Sequence, residues 1–265
     1  MKSRPKPSAS GRNSPPDKTQ DGILVRHCHG IEEFEACIRI ERAVWKSSDI
    51  DVVPIPLFVV ASETGGQVLG AFHGADLVGF TLAIAGWRGR KPFLHSHMTA
   101  VLEAHMNQGI GRRLKLLQKE DALARGIALV EWTFDPLMTK NAYFNFDRLG
   151  AIARRYLPNA YGITTSPLHG SLPTDRLVAE WHLGSDRVRN ILAGRPGKPP
   201  SKRAARITIP ANLEELRNSN PLKAREIQSE IRAEFMSWLV KGYAATGVQP
   251  GDGGVDYILE PWRSA

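Results

Sequence analysis

The chain of 265 residues has few cysteines and no long apolar run, and each absence excludes a class of protein. Cys28 and Cys37 are too few for a disulfide framework and lack the C-x-x-C spacing of a zinc site. No stretch approaches the roughly 20 consecutive apolar residues that a membrane-spanning helix needs. The N-terminal segment also lacks the apolar core of a secretory signal. These absences predict a reduced, cytoplasmic protein that contacts no membrane and needs no metal.

Acidic residues are scarce in two segments that hold the excess positive charge of the chain, whose formal net charge is +8. Residues 1–20 contain five basic side chains and one acidic one, and residues 187–206 contain seven basic side chains and no acidic one. Both segments lack interleaved aromatic side chains on which nucleic-acid bases would stack. We therefore favour a solubilising role for this charge and keep a nucleic-acid-associated function as an alternative.

Hydrophobic periodicity between residues 22 and 184 predicts elements in the order β-α-β-β-β-α-β-α-β-β, a mixed sheet with helices on its faces. The strands Gln67–Phe72 and Leu77–Gly86 are joined by a tight Gly/Asp turn, which indicates an antiparallel hairpin. The apolar run Leu57–Ala61 fits either the end of a helix or a strand. Thr139–Leu149 has the pattern of a helix that ends at a glycine.

The chain outside this central part divides into a tail and an extension. Residues 1–21 have the composition of a disordered basic tail. Residues 185–265 begin with a Pro-rich basic loop, after which the pattern predicts a strand at Ala205–Pro210, a helix at Pro221–Ala245 and a short final strand. One strong helix and few strands favour an extension that packs on residues 22–184 and shapes one side of its site.

The most informative segment is a strand, a short turn and two glycines that open a helix. The strand is predicted at Pro92–Val101, and the helix runs from Gly109 to Arg125. Glycines at a helix N-terminus let main-chain N–H groups approach an anion such as a pyrophosphate. No third glycine completes a Rossmann fingerprint, and no Lys-Ser/Thr pair completes a Walker motif. A helix start relaxed by glycine, with no ligand, is the alternative.

The segment Val101–Gly111, the amphipathic helix after it and the run Phe146–Gly150 resemble the acetyl-CoA-binding core of the GNAT N-acetyltransferase superfamily. The resemblance covers about 160 residues and implies the GNAT fold, a mixed and mostly antiparallel sheet flanked by helices. The segment from Trp132 to Gly162 is similar to one poorly characterised branch of GNAT-like acetyltransferases. The resemblance says little about the acceptor.

The resemblance implies acetyl-CoA, or another acyl-CoA, as the cosubstrate. In the GNAT signature Arg/Gln-x-x-Gly-x-Gly/Ala the two glycines correspond to Gly109 and Gly111, whereas Met106 stands at the first position. Main-chain N–H groups would then hold the phosphates, and the pantetheine arm would pair with the strand as an added strand does. The implied cofactor-binding residues are Thr99, Ala100, Val101, Asn107, Gln108, Gly109, Ile110, Gly111, Arg112 and Asn141.

The resemblance also implies direct transfer, in which a neutral amine attacks the thioester, a base removes its proton and an acid protonates the leaving thiolate. The frequent acid of the family is a Tyr four residues before the glycine of the later helix, where this chain has Phe146. We take Tyr143 on the same helix as the substitute acid. The alternatives are that Tyr143 only packs against cofactor or core, and that solvent protonates the thiolate.

Candidates for the base lie on the two strands that would flank the cofactor. His95 and His97 share one face of the first strand, and Thr99 is predicted to continue that face. Glu131 lies on the neighbouring strand. Burial can move the pKa of a carboxylate or an imidazole toward neutrality, so His97 and Glu131 are the candidate bases. A structural role for either side chain is the alternative.

Together these observations predict an acyl-CoA-dependent N-acyltransferase that acts on an amine of a small molecule or peptide. An acyl-CoA-binding or regulatory module without efficient transfer is the first alternative, because Met106 and Phe146 depart from the family pattern. The nucleic-acid-associated protein is the second alternative. A homodimer is left open, as are the acyl chain length and the acceptor.

Overall fold

The computed structural model describes residues 21–46, 51–162, 172–195, 197 and 199–262. The predicted basic tail lies outside the described residues apart from Asp21, and the Pro-rich basic loop is described only in part. Among the described residues, no helix combines the length and the apolar character that crossing a membrane requires.

The strands of the described chain are β1 (Ile23–His27), β2 (Gln67–His73), β3 (Asp76–Arg88), β4 (Lys91–Val101), β5 (Leu129–Phe134), β6 (Ile152–Leu157), β7 (Arg176–His182), β8 (Ala205–Pro210), β9 (Tyr243–Gly251) and β10 (Gly254–Pro261). The helices are α1 (Gly30–Trp45), α2 (Ile55–Glu63), α3 (Ile110–Ala124), α4 (Thr139–Tyr143), α5 (Asp186–Leu192), α6 (Leu213–Ser219) and α7 (Pro221–Val240). A π-helical turn, Phe144–Arg148, continues α4.

These strands form one sheet in the order β1-β2-β3-β4-β5-β7-β6-β9-β10-β8. The pair β4 and β5 is parallel, and every other pair of neighbours in the described sheet is antiparallel. The mixed, mostly antiparallel sheet flanked by helices is therefore confirmed. The single parallel pair is a consequence of the α3 crossover, because parallel neighbours need a long connection.

The extension after residue 185 adds three strands to the sheet and shares its core. Tyr257 of β10 is fully buried, with its ring 5.0 Å from Phe235 of α7 and 6.0 Å from Phe146 of the π-helical turn. Its hydroxyl donates a 2.6 Å hydrogen bond to the main-chain oxygen of Pro136. Aromatic rings at these spacings pack edge to face and bury a large apolar area. The loop after β5 is thereby bonded to the extension.

Two sequence predictions differ from the observed elements, and the structure decides a third that was left open. The helix predicted at Pro221–Ala245 ends at Val240, because Gly242 has a φ of +81° and the chain turns into β9. The run Leu57–Ala61 lies wholly within α2. The helix predicted at Thr139–Leu149 changes from α-helical to π-helical hydrogen bonding halfway, an irregularity that often accompanies functional sites.

Candidate functional site

β4 and β5 lie side by side only where each strand begins. The paired positions are Leu94 with Val130 and His95 with Glu131. Beyond them β4 continues to Val101 alongside β3 alone, so its other edge has no strand partner in the described chain. An unpaired strand edge presents N–H and C=O groups that can take up an extended ligand as an additional strand.

A β-bulge interrupts β4 at this point. Leu82 of β3 is opposite Met98, whereas the next residue, Ala83, is opposite Ser96. His97 is thus the extra residue on β4. Because a bulge leaves the extra residue outside the regular ladder and bends the strand, it contributes to the divergence of β4 from β5.

The bulge also changes which side chains share a face. The Thr81 hydroxyl oxygen lies 3.4 Å from the Ser96 hydroxyl oxygen and 2.8 Å from the Thr99 hydroxyl oxygen, so these three residues lie on the α3 face. The rings of His95 and His97 lie 6.1 Å apart, centroid to centroid. The prediction that Thr99 continues the face of the two histidines is wrong, since the bulge reverses the alternation of side chains between His97 and Thr99.

The turn from β4 into α3 presents a group of main-chain N–H groups. Asn107 and Gly109 adopt positive φ angles of 61° and 76°. Within the described chain, the main-chain N–H groups of residues 107–112 donate to no protein acceptor, whereas Arg113 N–H donates to Gly109 O at 3.0 Å. A Cβ atom at Gly111 would meet nothing within 4 Å. This open space before a fifteen-residue helix fits an anionic group.

The polar side chains of this turn are bonded to the protein. Arg112 donates to the main-chain oxygen of Leu192 at 3.1 Å. Arg113 is bonded to Asp21 at 2.9 Å, and the Gln108 amide donates to a main-chain oxygen four residues before it at 3.2 Å. Arg112 and Gln108, which the sequence assigned to the cofactor, each donate one hydrogen bond to a main-chain oxygen in this structure.

The remaining predicted cofactor residues divide by exposure. Thr99 and Val101 are partly exposed, and Ala100 between them is buried against the α1 and α2 side of the sheet. Ile110 is fully buried in a cluster with residues of β1 to β3. Asn141 is exposed on α4, the short helix that follows β5.

Of the two candidate bases, Glu131 is buried and bound by arginines. Arg88 holds both carboxylate oxygens, and Arg155 donates to one of them at 2.7 Å. His97 is exposed to solvent, yet the protein around it desolvates the imidazole and lowers its pKa below the usual 6.5. An imidazole that is accessible and neutral at pH 7 can accept a proton, whereas a carboxylate held by two guanidinium groups is already engaged.

Glu180 of β7 stands directly opposite Glu131 and was not predicted from the sequence. Burial acts to raise its pKa, but hydrogen bonds from His182 and Arg154 outweigh burial and lower the pKa to about 2. The two carboxylates and their arginines form a charged layer on the sheet face opposite α3. The sequence signal is the alternation of polar and apolar residues in Glu180-Trp181-His182 at the end of β7, which becomes interpretable only once β7 is known to neighbour β5.

Tyr143, the candidate acid, and Phe146, which stands where the family resemblance leads us to expect a tyrosine, occupy different environments. Phe146 is fully buried, and its ring packs edge to face 5.8 Å from Phe134. Tyr143 has half of its surface exposed, and its hydroxyl has no hydrogen-bond partner in the described chain. Sequence reasoning also missed Tyr161, whose hydroxyl lies 2.6 Å from the hydroxyl of Thr133 on β5.

No protein-family model matches the sequence, and a search of curated protein sequences finds no match. Among solved structures, a GNAT-family protein from Desulfovibrio desulfuricans is 14% identical, covers 61% of this chain and 99% of its own, and has a TM-score of 0.50. The ribosomal-protein-S18-alanine N-acetyltransferase from Escherichia coli is 15% identical, covers 62% of this chain and 95% of its own, and has a TM-score of 0.48.

A GNAT family acetyltransferase from Elizabethkingia anophelis, solved with acetyl-CoA bound, is 15% identical, covers 62% of this chain and 99% of its own, and has a TM-score of 0.44. The fold assignment rests on the match to the Desulfovibrio protein, and because the identity is 14%, this match shows the fold alone. Its coverage, about three fifths of this chain, leaves the remaining part without a counterpart. The chain therefore has the fold of the GNAT N-acetyltransferase superfamily.

Proposed function

We propose that this protein is an acyl-CoA-dependent N-acyltransferase that moves an acyl group, acetyl in the first instance, directly from CoA to an amine of a small molecule or peptide. The observation that carries the proposal is the opening between β4 and β5, which starts immediately after His95 and Glu131. The same opening leads to the main-chain N–H groups of residues 107–112 at the start of α3. An extended thioester with an anionic end matches both features.

The residues present fit an acyl-CoA. The N–H groups of residues 107–112 would hold the pyrophosphate, and Gly111 leaves room for it because no Cβ projects there. The edge of β4 at Thr99–Val101 would pair with the amide groups of the pantetheine arm. When bound, acyl-CoA supplies the activated acyl group, and the protein supplies its orientation.

His97 is the base that the geometry favours. It lies at the bulge, it is accessible, and its lowered pKa keeps the imidazole neutral at pH 7. Glu131 is then a structural anchor for Arg88 and Arg155 beside the acceptor. Tyr143 remains a candidate for the acid.

The C-terminal extension, residues 185–265, is proposed to shape the acceptor side. Arg217 of α6 forms an ion pair with Asp135 at 3.1 Å, and Asp135 directly follows β5. Tyr257 bonds to the next residue, Pro136. The extension thus contacts the end of a strand that borders the opening, where an acceptor would approach.

The test combines binding with thiol release. Calorimetry with acetyl-CoA measures binding, and a thiol reagent then follows CoA release with free amino acids, polyamines, aminoglycosides and peptide N-termini as acceptors. We expect binding and release with at least one acceptor class. Tight binding without release from any acceptor would instead identify an acyl-CoA-binding module, and absence of binding would refute both.

The Gly111→Asp variant tests the anion site. Its carboxylate would occupy the space in front of the helix, so we expect acetyl-CoA affinity to fall by more than about 100-fold, equivalent to about 3 kcal/mol. Gly184→Asp, between β7 and α5, is the matched control because, as at Gly111, a Cβ there would meet nothing within 4 Å and φ is not positive. Equal affinity of both variants would refute the placement.

A further inference from the structure

Lys115 of α3 is buried without a carboxylate partner in the described chain. Only 3% of the surface of Lys115 is exposed. The ammonium nitrogen donates to Ser96 Oγ at 2.8 Å and to Gln118 Oε1 at 3.0 Å, and it lies 4.1 Å from the centre of the Trp132 ring. Lysine is almost never fully buried unless it is paired, because desolvating the charge is costly. Burial accordingly lowers the pKa of Lys115 to about 7.

The position of this amine coincides with the start of the opening. Ser96 directly follows His95, and Trp132 directly follows Glu131, the last pair of residues that joins β4 to β5. The Lys115 nitrogen contacts both Ser96 and Trp132 from the α3 side. It therefore lies beneath the point where the two strands separate.

A row of hydroxyl groups leads from Lys115 to the open edge of β4. Ser96 Oγ lies 3.4 Å from Thr81 Oγ1, and Thr81 Oγ1 lies 2.8 Å from Thr99 Oγ1. In the structure the Thr81 hydroxyl donates to the main-chain oxygen of Met98 at 2.9 Å, so passing a proton to Thr99 requires one rotation of this hydroxyl. Thr99 stands on the strand edge that would receive the pantetheine arm.

We propose that Lys115 is the source of the proton that the leaving thiolate of CoA receives, passed through Ser96, Thr81 and Thr99. This inference rests on the proposed acyl transfer. As the amine forms its C–N bond, the C–S bond breaks and its electron pair goes to sulfur. Thr99 gives its hydroxyl proton to sulfur and is reprotonated along the row of hydroxyls.

Lys115 thereby changes from ammonium to amine and, after CoA has left, regains a proton from solvent through the same hydroxyls, while the proton of the attacking amine goes to His97. Lys115 acts through the hydroxyls and is a positioning residue for the proton. This route accounts for a phenylalanine, Phe146, at the position where the family resemblance led us to expect a tyrosine acid.

The titratable groups that surround Lys115 come from β4, β5 and its own helix. On β4, His95 has a pKa below 6.5, lowered first by burial. On β5, Glu131 is held by arginines on the opposite face. Along α3, Asp121 accepts a hydrogen bond from Gln67 of β2 and has a lowered pKa. β3 contributes only the uncharged Thr81 to this contact region.

The first test compares Lys115→Met with the full wild-type chain, using acetyl-CoA and the acceptor found in the amine panel. The acceptor ionises equally in both assays, so the ratio of the wild-type kcat to the variant kcat at each pH reports only the effect of replacing Lys115. We expect the wild type to be about 100-fold faster at pH 6 and less than about threefold faster at pH 9, where Lys115 is deprotonated. The KM for acetyl-CoA should change by less than about twofold.

Lys119→Met is the matched control, since it removes one charge from the next turn of α3, and it should retain the wild-type pH profile. Ser96→Ala interrupts the row of hydroxyls with Lys115 intact and should reproduce the loss at pH 6. A ratio for Lys115→Met that does not change with pH would overturn the proposal. A second result would also overturn it: kcat falls 100-fold in Tyr143→Phe, while Lys115→Met keeps the wild-type pH profile of kcat. Tyr143 would then be the acid.

The second test needs no turnover. In lysine-labelled protein the NMR signal absent from Lys115→Met reports the titration of Lys115. CoA brings a thiol, whose ordinary pKa is about 8.5, to the row of hydroxyls. As the pH rises the thiolate forms and favours the Lys115 ammonium, so saturation with CoA should move the titration midpoint of Lys115 to higher pH than saturation with desulfo-CoA. Equal midpoints with both ligands would overturn the proposal. If the wild type releases no thiol, the proposed transfer fails, and this measurement still reports separately on Lys115.

Discussion

Replacing Lys115 by methionine should make the protein more stable below pH 7, and this gain should disappear as the pH rises to 9. Burial lowers the pKa of Lys115 from 10.5 in the unfolded chain to about 7 in the folded one. Below pH 7 the lysine is charged in both states, and the folded state bears the full cost of the buried charge. Each tenfold change in an ionisation equilibrium corresponds to about 1.4 kcal/mol, so this cost is about 5 kcal/mol.

The sign follows from linkage. Between pH 7 and 10.5 the unfolded chain binds more protons than the folded one, so wild-type stability rises with pH in this window. At pH 9 the remaining cost is about 2 kcal/mol. Methionine removes the cost and also the hydrogen bonds to Ser96 and Gln118, about 1 kcal/mol each at every pH. The advantage of Lys115→Met should therefore shrink by about 3 kcal/mol from pH 6 to pH 9.

Urea denaturation followed by circular dichroism at pH 6, 7.5 and 9 measures this change. Equal m-values for the two proteins would show that they expose the same surface on unfolding. Lys119→Met controls for the loss of one charge from α3 and should show no such dependence on pH. A stability difference between Lys115→Met and wild type that stays constant from pH 6 to pH 9 would refute the reasoning.

Three further predictions concern the site and the core. His97→Gln should lower kcat about 100-fold with little change in the KM for acetyl-CoA, and an unchanged kcat would exclude His97 as the base. Glu180 has a folded pKa of about 2 and an unfolded pKa near 4.5, so its stabilisation is complete above pH 4.5 and lost toward pH 2. Glu180→Gln should therefore flatten the acid denaturation curve, and an unaltered curve would contradict the assignment. Phe235→Ala should destabilise the whole chain by about 3–5 kcal/mol in a single urea transition, because Phe235 packs in the core that the extension shares with the sheet. A separate early transition would show that the extension unfolds alone.

The sequence was sufficient for the features that depend on local pattern. Alternation and amphipathic spacing predicted the β2–β3 hairpin and α3, because each is determined by residues close together in the chain. Gly109 and Gly111 predicted a main-chain anion site, since positive φ and an absent Cβ are properties of glycine itself. The fold class followed from the order of these elements.

Other features could not be predicted because they join distant segments. The bulge at His97 places Thr99 on the face of Ser96, and only the pairing of β4 with β3 determines it. Glu131 looked like a free base until the fold brought Arg88 and Arg155 to it. Proximity of this kind depends on sheet order, which local propensity does not encode.

By itself the sequence determined where the strands, the glycine turn and the helix of the cofactor side lie, because their signals are short-range. The tertiary structure alone decided which side chains face that opening. It also made Lys115 exceptional, since a lysine on an amphipathic helix has an ordinary pKa until the strands and tryptophan that surround it remove the water.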